Sequence, residues 1–424
     1  MKKISFLIII VFLIQTKVSS QSCLPDGITF NSQAEIDSFQ VNYPNCSDIE
    51  GSVTISGDDI TNLVGLNSLN SIGGGLTIEQ NPILSNLTGL DNLESINMSL
   101  VLDENESLTT LTGLNSLTYI GGLLVLNENS MLSSIAMLNK VTFIGGQITV
   151  WNNEALLNFT GLENITTISG SVDIVGNSSL LSLSGFNNLA FISHYLRIKE
   201  NFSLIDITNL DNLISVGALN IGSNPMLTSL VGLESLASIG DYLQIYQNNS
   251  IINLVGLESL TSIGQALRIT YNSSLVSLAG IDNIFAASIQ DLAIFENTSL
   301  SVCEVKSICD YLINPNGYLY IENNANGCNS IEEVNVACET AWVPNEQTEL
   351  DLTIYPNPAK NKIFTSNKKN ISLDEITIYN KFGQKIFQSE TITNPIDISM
   401  IGSGLYIIEF ATDQQRIRKV LIIK

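Results

Sequence analysis

Residues that could carry out catalysis are scarce in this chain of 424 residues. It has a single histidine, His194, which we interpret as a solvated turn residue, and it shows no glycine-rich phosphate loop and no nucleophile elbow. Among its many acidic residues, Glu79 and Asp103 could form the carboxylate pair of a glycoside hydrolase. The flat, exposed sheet on which we expect them, however, offers no pocket that would keep one carboxyl group protonated. The sequence therefore predicts no enzyme, no metal site and no cofactor.

Basic residues are distributed very unevenly along the chain, whose formal net charge is -23. Of 18 basic residues, three lie in the first 20 positions and ten lie after residue 349. Residues 21–349 retain only Lys140, Arg197, Lys199, Arg268 and Lys306, against 34 acidic residues. A surface this acidic is not expected to hold nucleic acid or an anionic membrane by itself. Solubility outside the cell would explain most of the carboxylates.

A repeat must position these residues, because asparagines recur at steps of 24 residues, with one step of 23 and one of 25. These ladder asparagines are Asn81, Asn105, Asn129, Asn153, Asn177, Asn201, Asn224, Asn248, Asn272 and Asn297. A unit this short cannot bury its apolar face alone, so neighbouring units must stack into a solenoid with a continuous core. Functional residues must then lie on the outward surface of the coils.

Each repeat is predicted to combine a short strand with a wall of turns. Apolar residues five and three positions before each asparagine, such as Leu243 and Ile245, indicate a strand with one buried face. After the asparagine, apolar residues recur at every third position, whereas the stripe of an α-helix would alternate threes with fours. Position plus 8 is usually glycine, which predicts a corner with positive φ or a close backbone approach. Met137 and Asn209 replace that glycine, so we expect distorted corners there.

The side chains of the ladder asparagines are predicted to point into the solenoid. Each amide would bridge backbone groups at the bend after the strand and would stack on the asparagine of the neighbouring coil. A ligand-binding role for these amides is the alternative interpretation.

One copy of the repeat pattern, L-x-I-x-x-N-x-x-L-x-x-L-x-G-L-x-x-L-x-x-I-G, is nearly complete from Leu243 to Gly264. It resembles the receptor L domain, the leucine-rich β-helix of insulin-receptor-type ectodomains, in its bacterial repeat form. The similarity extends roughly from Ser52 to Leu300. Leucine-rich-repeat horseshoes are similar in pattern, but they place the next leucine two residues after the asparagine, whereas it is three here. Either resemblance implies a parallel β-solenoid.

Three basic residues of the repeat region, Arg197, Lys199 and Arg268, occupy outward strand positions. Because coils are about 4.8 Å apart, Arg197 and Arg268 would lie roughly 14 Å apart on one sheet. Aromatic residues on or beside this face are Tyr195, Tyr242, Tyr246, Tyr271 and Phe295, and an apolar stripe nearer the N-terminus contains Val101, Leu123, Val125, Trp151 and Val175. Arginine and aromatic side chains are favoured where partners dock, which makes this face the predicted ligand-binding surface. Strand propensity alone is the alternative explanation.

The first 20 residues have the composition of a secretory signal peptide. Lys2 and Lys3 precede the apolar run 4–13, and Ser19 and Ser20 are small residues suited to a cleavage site. No other segment is apolar over the length of a membrane span. We therefore expect the mature chain outside the inner membrane.

The cysteines lie only in the segments that flank the repeats, which in an exported protein predicts disulfides at the open ends of the solenoid. They are Cys23, Cys46, Cys303, Cys309, Cys328 and Cys338. Cys23 with Cys46 would enclose a helix that begins at Ser32 with Glu35 as its capping partner, whereas the four C-terminal cysteines leave three pairings open. A zinc site is the alternative there, but spacings of 6, 19 and 10 residues without a nearby histidine match no usual ligand set.

The segment from residue 350 to 424 has alternating strands in place of the repeat. It resembles the C-terminal sorting domain of the type IX secretion system, which is found in Bacteroidetes. The residues that carry the resemblance are Tyr355-Pro356-Asn357-Pro358, Ile376 to Tyr379 with Gly383, Gly404-Leu405-Tyr406, and Arg418-Lys419-Val420. The resemblance implies a small β-sandwich that engages the secretion machinery, is usually removed afterwards, and leaves the cargo released or attached to the cell surface.

We accordingly predict an all-β chain with a parallel solenoid of 24-residue coils, small helical caps with disulfides, and a C-terminal antiparallel β-sandwich. The predicted division is a signal peptide 1–20, an N-terminal cap 21–50, the solenoid 51–300, a C-terminal cap 301–342, a linker 343–349 and the sorting domain 350–424. The predicted function is an exported protein that presents its strand face to a protein or glycan ligand. A passive surface scaffold is the alternative, and an enzyme acting on extracellular polysaccharide is a weaker one.

Overall fold

The computed structural model describes residues 21–342, 352–367, 373–380, 384–389, 392–411 and 416–424. The predicted signal peptide, the linker 343–349 and Gly383 of the sorting motif lie outside the described residues. The chain divides after Cys338 into two compact units. The predicted fold class is confirmed, since a parallel β-solenoid is followed by antiparallel sheets.

The first unit is built around one long parallel sheet, here called the main sheet. Each coil contributes one strand, and equivalent residues of neighbouring coils pair with each other. Within the described residues, the path of this sheet has thirteen strands. They are Ile28–Phe30, Val53–Ile55, Leu76–Glu79, Leu100–Asp103, Leu124–Asn127, Ile148–Trp151, Val172–Val175, Phe191–Lys199, Ser215–Gly222, Leu243–Tyr246, Ala266–Thr270, Asp291–Phe295 and Leu319–Glu322.

A second ladder of short parallel strands, here called the narrow sheet, precedes the main-sheet strand in the coils. Its strands are Gln21–Cys23, Cys46–Ile49, Ser71–Ile72, Ser95–Ile96, Tyr119–Ile120 and Phe143–Ile144. Three further short strands, Thr167–Ile168, Ser238–Ile239 and Ser262–Ile263, continue its position and join the main sheet. They join because Phe191–Lys199 and Ser215–Gly222 run through both positions as single long strands.

The wall behind the sheets consists of successive turns, which accounts for the three-residue apolar rhythm. In one coil, the N–H of Leu156 donates to the carbonyl of Asn153, three residues earlier, over 3.1 Å. The N–H of Leu162 donates to the carbonyl of Phe159 in the same way, and the N–H of Ile165 donates to that of Leu162. The apolar residue of each turn is completely or almost completely buried. Most turns therefore deliver one side chain to the core and close their own backbone hydrogen bond, whereas the N–H of Phe159 donates to the carbonyl of Ser184 in the next coil.

The glycine eight positions after the ladder asparagine occupies a crowded corner with a left-handed backbone. Gly89 has φ +118°, and a Cβ atom at this residue would lie 1.9 Å from the carbonyl oxygen of Leu63 in the preceding coil. Met137 and Asn209 replace the glycine, and they lie in the 3-10 turns Ala136–Leu138 and Thr208–Leu210. Another 3-10 turn, Val64–Leu66, lies at the equivalent place in the first coil, whereas the turn Ala286–Ser288 lies further along its coil, 14 to 16 residues after Asn272.

The ladder asparagines are completely buried. The side-chain amide of Asn177 donates to the carbonyls of Val150 and Val175, at 2.9 and 3.2 Å, and to Oδ1 of Asn201 at 3.3 Å. Its own Oδ1 accepts from the backbone N–H of Asn153 at 3.1 Å. Asn324 extends the ladder by one step, since its Oδ1 accepts from Asn297 at 3.1 Å.

The residue before each ladder asparagine adopts a left-handed conformation, which turns the following side chain into the core. These residues are Gln80, Glu104, Glu128, Asn152, Gly176, Glu200, Ser223, Gln247, Tyr271, Glu296 and Asn323, with φ from 53° to 72°. A non-glycine residue in this conformation costs on the order of 1 kcal/mol. The buried hydrogen bonds of the asparagine offset that cost in each coil.

Helical caps cover both ends of the solenoid. The N-terminal helix, Gln33–Asn42, is capped by Ser32, and the disulfide Cys23–Cys46 encloses it. The C-terminal cap contains the helices Lys306–Ile313 and Ile331–Trp342, the second of which begins with Ser330 Oγ accepting from the N–H of Glu333. Its disulfides are Cys303–Cys328 and Cys309–Cys338, a pairing that the sequence left open.

The second unit consists of two antiparallel sheets that share one core. One sheet contains Leu352–Tyr355, Lys362–Asn367 and Ile396–Asp397, and the other contains Glu375–Asn380, Lys385–Ser389, Gly404–Ala411 and Arg416–Ile423. Ile363 of the first sheet and Ile378, Ile408 and Phe410 of the second are buried in the same cluster. None of the helices in the described residues is both long and apolar enough to cross a membrane.

Candidate functional site

The outward side chains of the main sheet, here called the strand face, form straight rows because the coils are in register. One row runs from Asp173 through Arg197, Asn220 and Gln244 to Arg268, so the two arginines are three coils apart, as predicted from the spacing. The adjacent row contains Trp151, Val175, Lys199, Gly222, Tyr246, Thr270 and Phe295. The predicted residues consequently fall into two groups, one around Arg197 and one near the C-terminal cap.

Arg197 is held by a carboxylate that lies completely buried on the neighbouring coil. Nε of Arg197 donates to Oδ1 of Asp173 over 2.6 Å, and Nη2 donates to Oδ2 of the same carboxylate. Asp173 has no exposed surface, whereas the side chain of Arg197 is 36% exposed. The hydrogen bond to Asp173 is the main cause of an upward shift of the Arg197 pKa, against the opposing effect of burial. A two-point bond of this kind fixes the plane of the guanidinium as well as its position.

Two aromatic rings lie against the same guanidinium. Its carbon lies 5.6 Å from the ring centre of Tyr195 and 5.9 Å from that of Trp151, distances at which a cation is attracted to a ring. The Tyr195 hydroxyl donates to Oδ2 of Asp173 over 3.2 Å. Burial, followed by the charge of Asp173, raises the pKa of Tyr195, so this hydroxyl keeps its proton at neutral pH.

The adjacent row adds a second cation and a ring with a fixed position. Nζ of Lys199 lies 2.8 Å from a carboxylate oxygen of Glu200, and both side chains are partly exposed. The Tyr246 ring lies over Gly222, where a Cβ atom would be only 2.1 Å from a ring carbon. Burial raises the pKa of Tyr246, and the nearby Lys199 opposes that shift. A larger residue at Gly222 would displace this ring from the strand face.

A cleft of about 350 Å³ opens beside this group at the edge of the strand face. It is lined by Ser193, His194, Tyr195, Gly217, Ala218, Gly240, Asp241 and Tyr242. The coil that ends at Asn224 has 23 residues, and its missing residue falls between the narrow-sheet and main-sheet positions. There Gly217 and Ala218 stand opposite the three-residue segments 193–195 and 240–242 of the neighbouring coils. The shortened corner is therefore recessed, and the recess is the cleft.

A second group of aromatic residues lies toward the C-terminal cap. Phe295 contacts Tyr271 and Tyr320 edge to face, with ring centres 5.4 and 5.3 Å apart, and Tyr320 stacks on Tyr318 at 6.1 Å. Arg268 is exposed on the neighbouring row. Tyr318 and Tyr320 could not be placed on this face from the sequence, because their strand belongs to the cap and follows an irregular spacing.

The residues considered for catalysis are not assembled into a catalytic site. Glu79 and Asp103 are paired on adjacent strands, but Asp103 accepts a hydrogen bond from Asn127 and both are only partly buried. His194 is exposed at the rim of the cleft. No group of three or more His, Cys, Asp or Glu side chains suited to a metal ion occurs within the described ranges.

Two parts of the chain match known protein families. Residues 45–112 match the family model of the Receptor L domain, and residues 353–424 match that of the Secretion system C-terminal sorting domain. The first coils of the solenoid are thus similar to the receptor L domain, and the C-terminal unit is similar to the sorting domain. No curated protein matches it at a significant level. Neither of the two families is enzymatic.

The sorting domain indicates export by the type IX secretion system to the cell surface or the extracellular space. Its motif residues lie close to the last strand, since Oδ1 of Asn357 accepts from the N–H of Ile422 over 2.9 Å. Tyr406 donates its hydroxyl to the carbonyl of Gly402 over 2.8 Å. Tyr355 stacks on Phe364, and Lys419 is exposed on the strand Arg416–Ile423. Pro356, Pro358, Gly404 and Leu405 complete the motif in the described part of this domain.

Proposed function

We propose that this receptor L-domain-like protein is an exported binding protein that holds a protein or glycan ligand on its strand face between Trp151 and Tyr246. The observation that carries the proposal is the fixed guanidinium of Arg197, which is bonded to buried Asp173 and flanked by Trp151 and Tyr195. Arginine and large aromatic residues are the side chains that most often dominate binding energy.

The arrangement favours recognition because its polar groups are already ordered. Arg197 and Tyr195 are held by Asp173, and Tyr246 is held over Gly222, so a ligand would immobilise little that is now mobile. The parallel sheet beneath them is rigid, which suits a surface that must keep its shape during binding. A passive scaffold has no need for a fixed arginine between two rings.

The proposal can be tested with the mature full-length protein on a panel of surface glycans and extracellular proteins, with titration of every hit at two salt concentrations. The test variants are Lys199→Ala and Tyr246→Ala, which leave the buried Asp173 pair intact. Lys140→Ala removes the same charge from an exposed site elsewhere, and Tyr119→Ala removes an exposed ring of the narrow sheet. We expect both test variants to weaken a saturable interaction and both controls to leave it unchanged. Binding that all four variants retain, or a panel without saturable binding, would favour the passive scaffold.

A further inference from the structure

The cleft beside Ala218 has the dimensions and walls of a site for one ring-shaped ligand. Tyr195 and Tyr242 lie on the two coils that flank Ala218, so their backbones are two coil steps, roughly 9.6 Å, apart. Both tyrosines line the cleft, so they bound it on the two sides of Ala218. The cleft volume of about 350 Å³ lies at the small end of the range of ligand pockets.

We propose that this cleft is a carbohydrate subsite that holds one neutral hexopyranose ring between Tyr195 and Tyr242. The proposal rests on the function proposed above and names the ligand class for that surface. A pyranose ring has flat C–H faces that suit the two aromatic walls, and hydroxyl groups around its edge that need polar partners.

One wall of the subsite is fixed by the site already described. The Tyr195 hydroxyl donates to Asp173 and accepts from the side-chain amide of Gln147 at 3.4 Å, while the Arg197 guanidinium lies against its ring. The floor, Gly217 and Ala218, carries no side chain larger than a methyl group. A sugar ring would therefore meet an ordered wall and an apolar floor at little entropic cost.

The rim supplies hydrogen-bonding groups at the edge of the ring. Ser193, His194 and Asp241 line the opening, and Asp241 is anchored by its N–H, which donates to the carbonyl of Gly217 over 2.6 Å. Among the described residues, the Asp241 carboxylate has neither an ion pair nor a hydrogen bond. Two neighbouring sugar hydroxyls could donate to its two oxygens, and His194 and Ser193 can donate or accept.

Local charges favour a neutral ligand over a charged one. Asp173 neutralises Arg197, and Glu200 neutralises Lys199, so the unpaired Asp241 would repel an anion. A cation would be attracted to the two rings and to Asp241. The guanidinium of Arg197 already lies against the Tyr195 ring, however, and would repel a second cation there. A neutral sugar meets neither penalty.

The test uses the mature full-length protein and saturation-transfer difference NMR. The probes are the methyl glycosides of glucose, galactose, mannose and fucose, with N-acetylglucosamine as a fifth sugar and choline as a cationic competitor for the same cleft. Tyr242→Ala removes one wall, and insertion of one glycine between Gly217 and Ala218 restores a 24-residue coil without removing an aromatic residue. Tyr119→Ala is the matched control outside the cleft. Circular dichroism melts establish that each variant is folded.

We expect at least one sugar to bind, with affinity lowered about tenfold or more by Tyr242→Ala and by the insertion, and unchanged by Tyr119→Ala. Absence of saturation transfer from every sugar, equal binding by Tyr242→Ala, or binding of choline in place of the sugars would overturn the subsite. The wider proposal has a separate outcome. Suppose that a protein ligand no longer binds Lys199→Ala and Tyr246→Ala, but binds Tyr242→Ala normally and is not displaced by any sugar. That result would support the binding function and would exclude the carbohydrate subsite.

Discussion

Asp173 is completely buried beneath the guanidinium of Arg197, although both residues occupy outward positions of neighbouring main-sheet strands. Burying a carboxylate is costly unless its oxygens are bonded, and here Arg197 and Tyr195 bond both of them. Such a pair adds little net stability compared with apolar residues of similar size. Its physical consequence is that the guanidinium and the two adjacent rings have one arrangement, which is what a recognition surface requires.

The two members of this pair should respond unequally to substitution. Arg197→Met leaves the Asp173 carboxylate buried without its main partner and should lower the free energy of unfolding by about 1–3 kcal/mol. Asp173→Asn should cost less, because the partly exposed arginine can be hydrated and the amide still accepts a hydrogen bond. Urea titration followed by tryptophan fluorescence, to which Trp151 beside Arg197 contributes, measures both changes. Lys199→Met, whose ion pair is exposed, should change stability by about 0.5 kcal/mol or less. Equal losses for Arg197→Met and Lys199→Met would contradict the role given to Asp173.

Stability should fall at alkaline pH, partly through Tyr195. Its folded-state pKa is raised by burial and by Asp173, so its contribution is fully present below the unfolded pKa of about 10 and is lost as pH rises through the folded value. Tyr195→Phe should therefore lose less stability than the wild type between about pH 9 and 11. Thermal melts at closely spaced pH values make the comparison. Tyr119→Phe, which changes an exposed tyrosine, should follow the wild type. Identical curves for all three proteins would exclude Tyr195 as a contributor.

The solenoid could be predicted from the sequence because each coil needs one buried amide at the same bend. That requirement makes the spacing of residues such as Asn177 nearly invariant, and the core positions follow at fixed distances from it. Asn324 was missed because the cap places it 27 residues after Asn297, outside the repeat. The left-handed residue before each asparagine was also missed, because glutamate, glutamine and asparagine at that position carry no common signal.

The candidate site was predicted only in part, because an outward strand position does not reveal whether neighbours cover it. Arg197, Lys199 and Tyr246 could be placed on one face from their distances to the ladder. Asp173 occupies an equivalent outward position, and its burial depends on Arg197 and Tyr195 of the next coil folding over it. The single 23-residue step was visible in the sequence, and it marks the shortened corner that forms the cleft. An irregular step in a regular ladder is therefore a useful signal for a local recess in the surface.

Removing one ladder asparagine should destabilise the solenoid strongly. Asn177→Ala eliminates side-chain bonds to the carbonyls of Val150 and Val175 and to Asn201, and it leaves buried groups unsatisfied in three coils. The expected loss is about 3 kcal/mol or more in the free energy of unfolding. Asn188→Ala is the matched control, since the exposed Asn188 amide makes one bond to the carbonyl of Glu163, and it should cost no more than about 1 kcal/mol. Urea titration of both variants measures the two losses in free energy of unfolding. Equal losses would mean that burial of the amide does not determine its contribution to stability.

The disulfide Cys23–Cys46 should stabilise the end of the solenoid more than its centre. The cap helix buries Ile36 and Phe39 over the first coils, and the Phe39 ring lies 5.6 Å from that of Phe30. Because each coil contacts only its neighbours, loss of this cross-link should lower the free energy of opening of the cap by about 3 kcal/mol and leave distant coils nearly unchanged. Hydrogen exchange of the double variant Cys23→Ser, Cys46→Ser should show faster exchange in the strands Ile28–Phe30 and Val53–Ile55 than in Val172–Val175.

The C-terminal pair provides the matched control for this experiment. Cys309→Ser with Cys338→Ser removes a disulfide of similar loop length, 29 residues against 23, from the opposite cap. It should accelerate exchange in Leu319–Glu322 and leave Val53–Ile55 unaffected, because the two caps are separated by the whole stack of coils. Uniformly faster exchange along the stack in either variant would mean that the solenoid unfolds as one cooperative unit, and that the caps stabilise it globally and not only at its ends.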